Sequence, residues 1–210
     1  IEHRYEVRTP KKLRSIAKFC FTNISNPITF RSVSNNFDVA TETAEKFIHY
    51  LEEVYMLFLV EKFSWKVKEQ EKAPRKVYSI DVGLSNAIGF TSSENKGRVM
   101  ENLVALELRR RSRIDKMLEI FYWKDYQGKE VDFVIKKRTK IKQLIQTTCA
   151  SKKDEVKRRE VKALLKASND LKCKNLLVIT LEYEDEEKIG NKKIRYLPLW
   201  KWLLCNESKF

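Results

Sequence analysis

Glu130-Val131-Asp132-Phe133-Val134-Ile135 sets a carboxylate inside an apolar alternation, the pattern of a β-strand. A period of two puts Val131, Phe133 and Ile135 on one face and Glu130, Asp132 and Val134 on the other, so Asp132 is held among sheet neighbours. Upstream, Gly97-Arg98-Val99-Met100-Glu101-Asn102 brings a glutamate on a helix; downstream, Leu144-Ile145-Gln146-Thr147-Thr148 is a strand interrupted by polar residues. Helix glutamate, strand aspartate and polar strand, in that order, are laid out like a metal-dependent phosphodiester-cleaving site, because hard divalent cations take oxygen ligands and polarise phosphoryl groups. If the two strands are neighbours, Asp132, Gln146 and Thr148 share one face of the sheet.

Around this centre the spacing predicts a helix over Lys96–Arg111, strands at Glu119–Lys124, Glu130–Lys137 and Lys142–Cys149, a helix at Asp154–Lys172, strands at Asn175–Thr180 and Ile194–Tyr196, and a helical turn at Trp200–Leu204. On the first helix Glu107 lies near the centre of the apolar stripe, where a carboxylate needs a metal or a cationic partner. Nearer the N-terminus, helices are expected at Lys11–Thr22, at Thr29–Asn35 and from an N-cap at Thr41. Strands at Tyr55–Val67 and Lys76–Ile80 follow, joined by a loop over Lys68–Pro74. Three helices followed by a hairpin is a winged helix. The third helix is acidic, with Glu42, Glu45, Glu52 and Glu53 against Lys46, which disfavours groove reading. Lys66, Lys68, Lys72, Arg75 and Lys76 keep contact through the wing open. A junction is expected at Asp81–Glu94.

Charge is unevenly placed. Residues 1–90 hold 14 Lys and Arg against 11 Asp and Glu, and residues 91–210 hold 29 against 18. The net +14 favours polyanions, although a lysine-rich surface also serves solubility. The cluster Lys152, Lys153, Lys157, Arg158 and Arg159 directly follows the polar strand and is the expected nucleic-acid contact. Cys20, Cys149, Cys173 and Cys205 form no C-x-x-C, and with only His3 and His49 they make no zinc quartet. They read as reduced thiols of a cytoplasmic protein, and no apolar run approaches a membrane span.

Gly97-x-x-x-Glu101-Asn102-Leu103-Val104 and Trp123-Lys124-x-x-x-Gly128-x-Glu130-Val131-Asp132-Phe133-Val134, with the strand that follows, resemble the C-terminal region of archaeal and bacterial AAA-type ATPases, a winged helix followed by a PD-(D/E)xK nuclease-like domain known as DUF4143. The resemblance covers most of the chain and is strongest from Lys76 to Leu204. It implies an α/β fold, α+β overall: a winged-helix domain at 1–90, then a restriction-endonuclease-like domain with a central mixed sheet at 91–210. It implies Glu101, Asp132 and Gln146 as ligands of Mg2+ or Mn2+ and Asp132, Gln146 and Thr148 as the catalytic positions, with Thr148 standing where the superfamily has its lysine. Ordinary ion pairs of Asp132 with Lys124 or Lys136, and of Glu101 with Arg98 or Arg109, are the competing readings. DNA is the expected partner, with an ATPase portion ahead of Ile1 if the chain is a fragment, and self-association is left open. The glycines at 83, 89, 97, 128 and 190 cannot write a G-x-x-x-x-G-K-[ST] loop, so nucleotide binding by a P-loop is excluded within this chain. A metal-dependent nuclease with a weakened site and a non-catalytic DNA-binding or assembly module are the two functions expected.

Overall fold

The computed structural model describes residues 1–89 and 96–205. Most of the expected junction lies within them, but Thr91, Ser92 and Ser93 fall outside. The described residues form α1 (Pro10–Thr22), β1 (Pro27–Ile28), α2 (Phe30–Phe37), α3 (Thr41–Glu53), β2 (Leu57–Lys62), α4 (Val67–Lys72), β3 (Arg75–Ser79), α5 (Val82–Ile88), α6 (Lys96–Ile114), β4 (Leu118–Lys124), β5 (Glu130–Lys137), β6 (Lys140–Thr147), α7 (Arg158–Asp170), β7 (Leu176–Thr180), β8 (Asp185–Ile189), β9 (Lys192–Pro198) and α8 (Leu199–Leu204). The fold is α+β. No helix among the described residues is long and apolar enough to cross a membrane.

The chain packs as two units, Ile1–Glu61 with Lys66–Asn102 and Lys62–Trp65 with Leu103–Phe210. The boundary therefore falls inside α6 and not at the expected 90/91 junction. Side-chain bonds explain the shift: Asn102 Oδ1 accepts from Ser79 N at 2.8 Å while its Nδ2 donates to Ser79 O at 2.9 Å, and Ser25 Oγ donates to the Arg98 carbonyl at 2.9 Å. The start of α6 is thereby fastened to the β3 side of the first unit. Phe63 N donates to Tyr122 O at 2.7 Å, which draws the end of the β2 segment into the second unit.

In the first unit β1, β3 and β2 pair antiparallel, and α1–α3 bury Leu13, Ile16, Val33, Ala44, Phe47 and Ile48 against Leu57 and Val77. The helices begin as local chemistry requires. Thr29 and Ser32 form a reciprocal capping box on α2, and Asp81 caps α5 through Leu84 N. At α3, however, Ala40 occupies the N-cap, and the Thr41 hydroxyl instead lies 3.2 Å from Ser34 Oγ. The expected Lys68–Pro74 loop is largely helical α4, where Lys66 and Glu69 pair across one turn at 3.0 Å.

In the second unit the strand order is β4-β5-β6-β7-β9-β8. β4, β5 and β6 are antiparallel, β7 runs parallel to both β6 and β9, and β8 closes the edge antiparallel to β9. Helix α7 lays Ala163, Leu164 and Ala167 on this sheet, packing with Val131, Val134, Leu144, Leu176 and Val178. β5 is buried from Val131 through Ile135, as expected of a central strand covered on both faces. β8, with the sequence Asp-Glu-Glu-Lys-Ile, was not expected from the sequence, since an edge strand needs no apolar face.

Candidate functional site

β5 and β6 are neighbours with Phe133 opposite Ile145 and Val134 opposite Leu144, so the register carries Asp132 to the level of Gln146. There the ladder ends, and the aspartate side chain takes the place of a backbone acceptor. Asp132 Oδ2 accepts from Gln146 Nε2 at 2.8 Å, from Thr147 N at 2.9 Å and from Thr147 Oγ1 at 2.8 Å. All three residues are buried. The lysines considered as ion-pair partners of Asp132 bond other carboxylates: Lys124 bonds Glu130 at 2.9 Å, and Lys136 bonds Glu119.

Glu160, in the first turn of α7, joins this group. Burial pushes its carboxyl above the ordinary range; Lys157 opposes that, the charge of Asp132 adds to it, and a hydrogen bond with Thr148 opposes it. Lys157 Nζ stands 3.8 Å from Glu160 Oε1. Glu160 Oε2 and Gln146 Oε1 are buried without a hydrogen-bond partner among the described residues. A buried oxygen left unpaired is costly, and here two of them accompany Asp132.

The structure thus brings Asp132, Gln146 and Thr148 into one group of the second unit, with Thr148 facing Glu160 and not supplying a charge. Glu101 is engaged within the first unit, where its Oε1 accepts from Lys76 Nζ at 2.9 Å and from Tyr78 OH at 2.7 Å. Neither Arg98 nor Arg109 is the partner that these bonds show. Lys76, 1% exposed, is consequently no wing-surface cation. Glu107 finds the cationic partner its position called for: Arg110 and Arg111 both reach it at 2.7 Å and hold its carboxyl below the usual range. The cluster Lys152, Lys153, Lys157, Arg158 and Arg159 is exposed throughout, with Lys153 paired to Glu187 at 3.3 Å. No group of three His, Cys, Asp or Glu side chains that could hold a metal occurs among the described residues.

Sequence reasoning missed Thr147 and Glu160. Alternation turns Thr147 away from Gln146, and only the end of the ladder lets it reach Asp132. Glu160 stands among Lys157, Arg158, Arg159 and Lys162 and reads as part of a solvated face; its signal was the helix period, which sets it three and four residues before Ala163 and Leu164.

Comparison with known proteins places this site in a family. The profile of DUF4143, a domain of unknown function, matches residues 96–202. The chain belongs to the DUF4143 family. Residues 1–95 match a second domain of unknown function, DUF8612. Over 97% of its length this DUF4143 protein is 34% identical to an uncharacterized protein of Methanocaldococcus jannaschii, covering 47% of that protein. Over 67% of its length it is 25% identical to an uncharacterized protein of Haemophilus influenzae, covering 35% of it. The chain therefore spans half or less of these relatives. No solved structure matches it.

Proposed function

We propose that this DUF4143 protein is DNA-associated, a winged helix followed by a PD-(D/E)xK nuclease-like domain whose second unit performs weak, cation-dependent phosphodiester hydrolysis. The observation that carries the reading is the pair of buried, unbonded oxygens, Gln146 Oε1 and Glu160 Oε2, in the group built on Asp132. An all-oxygen set of two carboxylates and an amide suits a hard cation such as Mg2+ or Mn2+. Asp132, Gln146 and Glu160 would hold it; Glu101, already bonded to an ammonium and a phenol, fits less well. A bound divalent ion supplies polarisation of the phosphoryl oxygens and a more acidic water. The chain's own part is to orient Asp132 through Gln146 and Thr147 and to offer phosphates the exposed Lys157, Arg158 and Arg159. The ATPase portion implied by the resemblance belongs to the same proposal as a partner.

A non-catalytic grip on DNA is the second reading, favoured by Thr148 in the lysine position. Supercoiled plasmid and single-stranded DNA incubated with Mg2+ or Mn2+ separate the two. Nicking by wild type that falls at least about tenfold in Asp132→Asn and in Glu160→Gln supports hydrolysis, the size being typical of weakened metal sites. Salt-sensitive binding with no cleavage supports the grip, and absence of binding overturns both.

A further inference from the structure

Tyr126 is 89% exposed at the tip of the turn joining β4 to β5, yet that tip is held firmly. The Asp125 side chain accepts from the backbone N–H groups of Gln127 and Lys129, each at 2.8 Å, and from Lys166 Nζ of α7 at 2.5 Å. Asp125 N returns to Lys129 O at 3.0 Å, and Gly128 takes the φ of +82° that the turn requires. Gln127 Nε2 bonds the Tyr126 hydroxyl at 3.2 Å, and Lys166 Nζ lies 5.0 Å from the Tyr126 ring centroid. The backbone that carries this exposed ring is therefore held in place, which lowers the cost of binding something flat.

Helix α7 supplies the second half of the argument. Arg159, Lys162 and Lys166 recur at i, i+3 and i+7, the spacing of one helix face. Arg159 and Lys162 are exposed, and Lys166, paired with Asp125, ends this face about 10 Å further along at Tyr126. A stripe that tracks phosphates and stops at an exposed aromatic is the plan of a single-strand binding surface, because only unpaired bases have free faces to stack.

We propose that Tyr126 is a stacking platform for an unpaired base of single-stranded nucleic acid whose backbone follows Arg159 and Lys162. The proposal rests on the DNA-associated reading and adds a preference for unpaired substrate. Fluorescence anisotropy with labelled oligothymidylate, a duplex of equal length and poly-glutamate tests it on wild type, Tyr126→Ala and Tyr126→Phe. Tyr126→Ala weakens oligothymidylate binding about tenfold, the scale of one lost stacked base, while Tyr126→Phe retains it and duplex affinity stays within about twofold. Unchanged oligothymidylate binding in Tyr126→Ala overturns the platform, as does an equal loss for poly-glutamate, which carries charge without bases. Wild type that binds and nicks duplex but ignores oligothymidylate overturns the platform alone; wild type that binds no nucleic acid overturns the functional reading with it.

Discussion

Glu160 shows how a single side chain can be tuned by its neighbours against the stability of its own fold. Its carboxyl is raised chiefly by burial, with Asp132 adding to the effect, so the folded chain holds this proton more tightly than the unfolded chain. The associated stability is fully present below the ordinary carboxylate pKa and is lost as pH rises through the elevated value. Glu160→Gln, neutral at every pH, is expected to melt above wild type at pH 7 and close to it at pH 4 in paired thermal scans. Equal gains at both pH values would remove the electrostatic account. A divalent cation that occupies the group should raise the melting temperature of wild type and do so less for the variant, since binding to the folded state alone stabilises it.

Among the elements, α6 and α8 are joined by one guanidinium. Arg111, 9% exposed, donates to Glu107, to Trp202 O at 3.1 Å and to Cys205 O at 3.3 Å, and stacks 4.4 Å from the Trp202 ring. Arg111→Ala would leave a nearly buried carboxylate with only the more exposed Arg110 and two carbonyls without this donor, a loss of roughly 3 kcal/mol measurable by urea unfolding. Arg111→Lys should recover part of it, because an ammonium cannot serve the three acceptors in one plane. That Glu107 needed a metal or a cationic partner was legible from the helix wheel; that Arg111 also reaches the carbonyls of Trp202 and Cys205 was not, because it depends on where α8 comes to rest. The same limit hid Glu160. Asp132 and Gln146, by contrast, followed from strand period and adjacency alone, and α1, α2 and α3 from apolar spacing, although the cap expected at Thr41 is Ala40. β8 and α5 escaped because a polar edge strand and a helix containing Gly83 carry neither signal.

For the molecule as a whole, the +14 net charge makes any nucleic-acid affinity strongly salt-dependent through counterion release. The lysines of the cluster are unequal in this respect, since Lys153 and Lys157 already face Glu187 and Glu160. Replacing Lys152, Arg158 and Arg159 together by glutamine should flatten the slope of log affinity against log salt by about 2 to 3. An unchanged slope would move the contact surface elsewhere on the chain. Comparable weakening for duplexes of different sequence is also expected, because phosphate contacts carry no base identity. Finally, Asp132 stands in for a peptide carbonyl at the end of the β5–β6 ladder, so a side chain with no acceptor oxygen there would unravel local architecture whatever became of any reaction. A descendant that had abandoned chemistry would still be selected to keep the acid, and its persistence across relatives would testify to foldability before activity.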